Sequence, residues 1–325
     1  MIRVGIVGSA GYVAGELIRC LIHHSEVQID FLHSTSQAGN VVSEVHEDLL
    51  SLNKLHFSNK IKDDVDVAFL CLGHDNSRSF LEVNPFSDRT VLIDLSNDFR
   101  LHDNAYFQGN EFVYGLVESN KSQIKEAKNI ANPGCFATAI QLGLLPLAKA
   151  GLLLNDVHVN AITGSTGAGQ SPSSTSHFSW RNNNVSIYKA FNHQHLAEIS
   201  ESIMSLQNGF NPVINFIPVR GDFTRGIFAT MYTQCDLSEQ ELIGLFEEFY
   251  KDAKFTFISQ NTVHLKQVVN TNNCVLQIQK IDNKVLVTSV IDNLLKGAAG
   301  QAIQNMNLIF GLEETTGLHF KASYH

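Results

Sequence analysis

No apolar run in this sequence approaches the roughly 20 residues that span a bilayer, which argues against a membrane-embedded protein. An excess of positive charge is also missing: 23 Lys and Arg face 32 Asp and Glu, for a formal net charge of −9. Nucleic-acid binders draw much of their affinity from neutralising phosphates, so that class is disfavoured and any anionic substrate must meet local positive charge. Cysteine is sparse and scattered, with Cys20, Cys71, Cys135, Cys235 and Cys274 forming no C-x-x-C pair. That spacing supports neither a disulfide framework nor a zinc site. Only 6 prolines interrupt the chain, and there is no internal repeat or low-complexity tract. What remains is a 325-residue chain of 44% hydrophobic content, enough for a sizeable core and more in keeping with two domains than one. Met1 to Gly8 reads as a buried strand rather than a signal peptide, so the cytoplasm is the expected compartment.

The first 130 or so residues read as a doubly wound α/β domain. Ile2 to Val7 is a β-branched run ending in glycines, and from about Val13 to His24 the apolar residues take helical spacing. Further apolar runs at Val27 to Leu32, Val65 to Leu72 and Thr90 to Leu95 each stop at Ser, Gly or Asp, as parallel strands covered on both faces should. After Pro133 strand-like runs at Val157 to Ile162, Val213 to Pro218, Ile227 to Cys235 and Val285 to Val290 alternate with long polar loops, which predicts a mixed α+β second domain. The boundaries expected are 1–133 and 134–297, with a C-terminal helical segment, 298–325, packing back on the first domain. Gly167 to Asn184 is a long Ser/Asn-rich stretch of the kind that often serves function.

Gly8-Ser9-Ala10-Gly11-Tyr12-Val13-Ala14-Gly15 falls between the first strand and first helix, where a dinucleotide fold brings backbone N–H groups against a pyrophosphate. The spacing is G-x-x-G-x-x-x-G, less specific than G-x-G-x-x-G, and a plain strand-to-helix turn is the alternative. The second strand ends in His33-Ser34-Thr35-Ser36-Gln37 without a carboxylate. Hydroxyls there suit a 2′-phosphate better than a 2′-hydroxyl, which favours NADP over NAD.

Asn132-Pro133-Gly134-Cys135 precedes an apolar helical stretch, placing Cys135 in a helix first turn, where exposed N–H groups and the macrodipole stabilise a thiolate. An inert cysteine at a helix start is the competing reading. Asn192-His193-Gln194-His195-Leu196-Ala197-Glu198 offers imidazoles for acid/base work, with Glu198 one helical turn beyond His195. Thr163 to Gly169, including Ser165 and Gly167, follows a strand and is expected to offer free N–H groups to an oxyanion or phosphate. A zinc site at His193, His195 and Glu198 is disfavoured, since no further ligand and no H-E-x-x-H pattern appears, and no metal is expected.

Taken together these segments resemble the N-acetyl-gamma-glutamyl-phosphate reductase family of the semialdehyde dehydrogenase superfamily. The matching stretches are GSAGYVAGEL from Gly8, DLSNDFRL from Asp94, Tyr114-Gly115-Leu116, NPGCFAT from Asn132, STGAG from Ser165, His177-Phe178-Ser179, NHQHLAEI from Asn192, TRGI from Thr224 and IDNLLKGAAGQAIQNMN from Ile291. They run nearly end to end in the same order. The resemblance implies a Rossmann-type doubly wound parallel sheet plus an α+β catalytic and dimerisation domain of the semialdehyde-dehydrogenase type. It further implies that Cys135 is the nucleophile, that His193 or His195 is the acid/base, and that the chain forms a homodimer or homotetramer in arginine biosynthesis. Gly8, Gly11 and Gly15 are implied to contact NADP, Ser34 to Gln37 its 2′-phosphate and Asn293 its nicotinamide end; Gly73 joins these candidates. For the substrate's oxyanions the candidates are Arg100, Arg181 and Arg225, whose guanidinium groups can pair bidentately, together with Asn132.

Two departures stand out: Phe136-Ala137 replaces the family's usual Tyr-Pro, and Gln170 stands where a basic residue commonly follows the GAG segment. The second leaves an N-succinyl substrate open beside the N-acetyl one. Aspartate-semialdehyde dehydrogenase and a nonenzymatic dinucleotide-binding redox sensor built on Cys135 are the remaining alternatives.

Overall fold

The computed structural model describes residues 1–52 and 54–325. These residues form two compact units, one of Met1–Gly134 with Ala298–His319, the other of Cys135–Gly297 with Phe320–His325.

In the first unit, strands β1 (Ile2–Val7), β2 (Val27–His33), β3 (Phe57–Ser58), β4 (Val67–Leu70), β5 (Val91–Asp94), β6 (Tyr106–Phe107), β7 (Asn110–Tyr114) and β8 (Asn129–Ala131) make one sheet. Their order is β3-β2-β1-β4-β5-β8-β7-β6, all parallel except the β6–β7 pair. Order reverses between β1 and β4, and doubly wound sheets bind ligands beyond the strand ends at such a point. Three helices belong to this part of the chain: α1 (Tyr12–Leu21), α2 (Ser77–Val83) and α3 (Val117–Glu126). All four residues of β4 and the last four of β1 are buried, which is why these strands read as unbroken apolar runs.

The second unit opens with α4 (Cys135–Lys149), buried from Phe136 to Ala148. Strands β9 (Val157–Thr163), β10 (Ser186–Ile187), β11 (Ile214–Arg220), β12 (Ile227–Gln234), β13 (Thr256–Ile258), β14 (Cys274–Ile281) and β15 (Lys284–Ile291) form a mixed sheet ordered β10-β11-β9-β12-β15-β14-β13. Helices α5 (Phe178–Arg181), α6 (His195–Leu206) and α7 (Glu239–Tyr250) complete this unit. One sheet face is apolar and packs against α4 and α7, through residues such as Val159, Phe216, Ala229 and Met231. The other face presents exposed or half-buried His158, Asn160, Thr230 and Tyr232, giving the alternation of a sheet covered on one side.

Helix α4 keeps its course through Pro146 because of a specific partner. A proline supplies no N–H to the carbonyl four residues earlier, and here the Tyr250 hydroxyl donates to that carbonyl, Leu142 O, at 2.6 Å.

The last helix, α8 (Gly300–Ile309), is part of the first unit and packs on α3 and α1. It is shorter than the 298–325 segment expected from sequence. Beyond Ile309 the chain has no further helix, and Phe320–His325 groups with the second unit, where Ser323 N donates to Val269 O at 3.0 Å.

Candidate active site

In the first unit, α1 starts with Gly11 as its N-cap and no side chain caps it, so the first-turn N–H groups are available to an anion. A Cβ at Gly11 would meet only Gly8 O at 3.9 Å, leaving open space above the turn for a pyrophosphate. Thr35 and Ser36 are exposed, and the Ser34 and Ser36 hydroxyls lie 3.5 Å apart at the end of β2. Gly73 adopts φ +82° in the turn that follows β4. These features fit a phosphorylated dinucleotide.

Three expected contacts have other work in this unit. The N–H groups of Gly8 and Ser9 both donate to His33 O, at 3.0 and 2.9 Å, and Ser9 Oγ donates to the same oxygen. They fix the turn to β2. Gly15 faces inward: a Cβ there would lie 2.8 Å from the His46 ring and 2.7 Å from Arg19 Nη1. His46 in turn hydrogen-bonds Ser9 O through Nε2 at 3.0 Å, and burial lowers its pKa. The third glycine of the motif therefore makes room for an imidazole that braces the turn. No sequence pattern flagged His46, which lies 31 positions further along the chain.

Asn132 and Arg100 also belong to the frame. Asn132 Nδ2 donates to Ala298 O at 3.1 Å and its Oδ1 accepts from Asn305 Nδ2 at 3.2 Å. Arg100 donates from Nε to Asn132 O at 2.9 Å and from Nη2 to Leu95 O at 3.2 Å. Both amide groups of Asn132 are thus engaged by the protein.

In the second unit Cys135 is the first residue of the 15-residue α4, as the sequence predicts. A turn of π-helix, Leu295–Ala299, packs on it so closely that a Cβ at Gly297 would come within 2.8 Å of Cys135 Cβ. Gly297 N donates to Asp292 O at 2.9 Å, the five-residue span that defines this turn and one that recurs at functional sites. Asp292 itself is fully buried and holds the segment by accepting from Leu294 N at 2.8 Å, Leu295 N at 3.1 Å and Asn270 N at 2.7 Å.

Phe136, next to the cysteine, meets the His193 ring edge-on at 5.5 Å and the His195 ring at 6.3 Å. The two imidazoles are 4.6 Å apart and both are buried. His195 N donates to His193 Nδ1 at 3.2 Å, so the neutral His193 ring carries its proton on Nε2. His195 Nε2 lies 3.8 Å from Glu198 Oε1, both side chains being nearly inaccessible. Tyr188 completes the cluster, 5.9 Å from His193. Its phenol is pushed up to about 12, first by burial and then by negative charge on Cys135. Sequence reading missed Tyr188, because a tyrosine between two loops carries no pattern.

The arginines and the glycine loop depart from expectation. Arg181 directs all five N–H donors at protein acceptors: Nε and Nη2 to Thr175 O, Nη1 to Asn184 O and Arg220 O, and Nη2 also to Ser186 Oγ. It staples the long loop and has no donor left for substrate. Arg225 closes a two-point pair on Asp292, Nε to Oδ2 at 3.0 Å and Nη2 to Oδ1 at 3.1 Å. In the STGAG segment, Ser165 N, Thr166 N and Gly167 N donate to Phe223 O, Thr224 O and Gly164 O. Those amides are satisfied inside the protein instead of pointing at a ligand. Asn293 likewise bridges two loops, accepting from Gly226 N at 2.7 Å and donating to Thr166 Oγ1 at 3.0 Å. Among the described residues no group of three or more His, Cys, Asp or Glu could hold a metal.

Two family models cover most of the chain. Residues 3–127 match the semialdehyde dehydrogenase NAD binding domain and residues 135–293 the semialdehyde dehydrogenase dimerisation domain. Fold and sequence thus define a protein of the semialdehyde dehydrogenase class. Solved structures of the same fold include aspartate semialdehyde dehydrogenase II of Vibrio cholerae, with TM-score 0.72 and 15% identity over 96% of this chain and 98% of that one. N-acetyl-gamma-glutamyl-phosphate reductase of Flavobacterium johnsoniae is 60% identical over 99% of both chains, and that of Christiangramia forsetii 57% identical over 100% of both. The chain belongs to the N-acetyl-gamma-glutamyl-phosphate reductase family.

Proposed function

We propose that this chain reduces N-acetyl-gamma-glutamyl phosphate to N-acetylglutamate 5-semialdehyde, with release of phosphate, as an NADPH-dependent step of arginine biosynthesis. The observation that carries the reading is the full-length identity of 60% to a reductase so named, in a chain that mounts Cys135 on a helix N-terminus beside Tyr188 and Phe136. The Cys135 thiolate attacks the acyl carbon; a C–S bond forms, the C–O bond to phosphate breaks, and phosphate leaves with the electron pair. Bound NADPH supplies the hydride, and Ala10 to Val13 with Ser34 to Gln37 are the residues that would hold its phosphates. The tetrahedral oxyanion on Cys135 then re-forms its C=O bond and expels the thiolate. His193 donates an Nε2–H hydrogen bond to that oxyanion, with His195 and Glu198 buried behind it. Since the STGAG amides are engaged, the imidazole takes the part that a loop would otherwise play.

The same reading extends to assembly and compartment. The uncovered face of the second sheet, where the His158 and Tyr232 rings stack at 4.9 Å, is the surface through which two copies pair. Five free cysteines suit the reducing cytoplasm. The deciding assay follows NADP reduction with N-acetylglutamate semialdehyde and phosphate, against N-succinylglutamate semialdehyde and aspartate semialdehyde. Phosphate-dependent turnover should favour the N-acetyl compound; a preference for either other aldehyde, or no turnover, refutes the assignment.

A further inference from the structure

The second unit contains three arginines, Arg181, Arg220 and Arg225, and two of them are closed. Arg181 has every donor on a protein oxygen, and Arg225 is paired on Asp292. Arg220 differs on each point. Its Nε is buried and has no hydrogen-bond partner. A desolvated cationic donor left open in this way is costly, and native proteins rarely keep one without a use.

Its position is nonetheless fixed. Arg220 ends β11 opposite Ser186 of β10, and its carbonyl accepts from Arg181 Nη1 at 2.9 Å. The guanidinium lies over the Tyr188 ring with Cζ 4.7 Å from the centroid and shares a side-chain hydrogen bond with Tyr188, which together restrict the side chain while its buried Nε stays without a partner. Tyr188 is the same ring that meets His193 and responds to charge on Cys135.

We propose that Arg220 binds a substrate oxyanion beside Cys135 and thereby determines which acyl phosphates the site accepts. The partner is a planar or tetrahedral oxyanion able to take two N–H donors, a chemistry met by a carboxylate of the amino-acid substrate and by phosphate itself. The proposal rests on the reaction given above but can be tested without turnover.

Arg220→Met and Arg220→Lys would be compared with the parent protein in two experiments. First, Cys135 alkylation by anionic iodoacetate and neutral iodoacetamide is timed by mass spectrometry. Arg220→Met should lower the iodoacetate rate roughly tenfold relative to the iodoacetamide rate, with Arg220→Lys in between. Second, in the phosphate-dependent oxidation of the semialdehyde, KM should rise by roughly tenfold to a hundredfold while KM for NADP stays within about twofold. A rise confined to the semialdehyde identifies a carboxylate, and a rise confined to phosphate identifies the leaving group. If a folded Arg220→Met protein keeps the alkylation ratio and both Michaelis constants, Arg220 is only a packing partner of Tyr188 and the proposal is wrong. Should the parent protein show no turnover at all, the proposed reaction fails while the alkylation ratio still decides the role of Arg220.

Discussion

Cys71 and Cys135 are both part-exposed, yet only one heads a helix. Burial of the Cys71 thiol, with Asp94 nearby, drives its pKa far up and keeps it protonated, whereas Cys135 is the first residue of α4, where the helix macrodipole favours a thiolate. Asp94 is itself raised to about 6 by burial, in spite of the hydroxyls of Ser77 and Ser96 at 2.6 Å. Its folded pKa lies above the ordinary carboxylate value of 3.8, so between about pH 4 and 6 the folded chain binds the extra proton. Its contribution to stability is therefore full below that window and falls as pH rises through it. Urea denaturation should show the parent losing on the order of 3 kcal/mol relative to Asp94→Asn across this range, and equal slopes would contradict the burial argument. His193→Ala should lower kcat by about a hundredfold to a thousandfold with KM for NADPH unchanged, and His193→Gln, which keeps a donor, should recover part of it. An unchanged kcat in stopped-flow assays would remove His193 from the chemistry. Cys135 and the histidines could be read from sequence because their neighbours form patterns. Tyr188, Arg220 and His46 could not, since each matters through a contact distant along the chain.

At the scale of the element, α4 joins core packing to the cysteine it carries. Its apolar run is visible in the sequence, Pro146 included, but not the hydroxyl that replaces the missing donor, because Tyr250 lies 108 positions away. Tyr250→Phe should leave Leu142 O unsatisfied and destabilise the protein by about 1–3 kcal/mol, read from denaturation midpoints. No loss of stability would mean that the proline is accommodated without that bond. Helix α7 shows the opposite case: Ser238 and Glu241 form a capping box, a local S-x-x-E signal sufficient to mark its start. Strand β14 lies outside the sequence expectations because Gln277, Gln279 and Lys280 interrupt its apolar residues, even though its buried Cys274, Leu276 and Ile278 alternate as in the rest of the sheet. The STGAG loop departs from its sequence expectation for a different reason. Glycine content marks a turn, but only the docking of residues 223–226 against it determines where its amides point.

For the whole molecule, the sequence carried the class of each part because strand texture differs between them: unbroken apolar runs in the doubly wound sheet, alternation in the mixed one. It did not carry the strand order of the second sheet, which depends on pairings such as β12 with β15, whose partners lie 50 to 64 positions apart. Nor did it show that the chain's last residues leave the first unit again after α8. The proposed reaction passes through one covalent step at Cys135. Intact-protein and peptide mass spectrometry of the chain incubated with the acyl phosphate, without NADPH, tests this directly. An acyl adduct is expected on the Cys135 peptide, one that disappears when NADPH is added and never forms in Cys135→Ser. A parent protein that turns over while its Cys135 peptide stays unmodified under acid quench would contradict it.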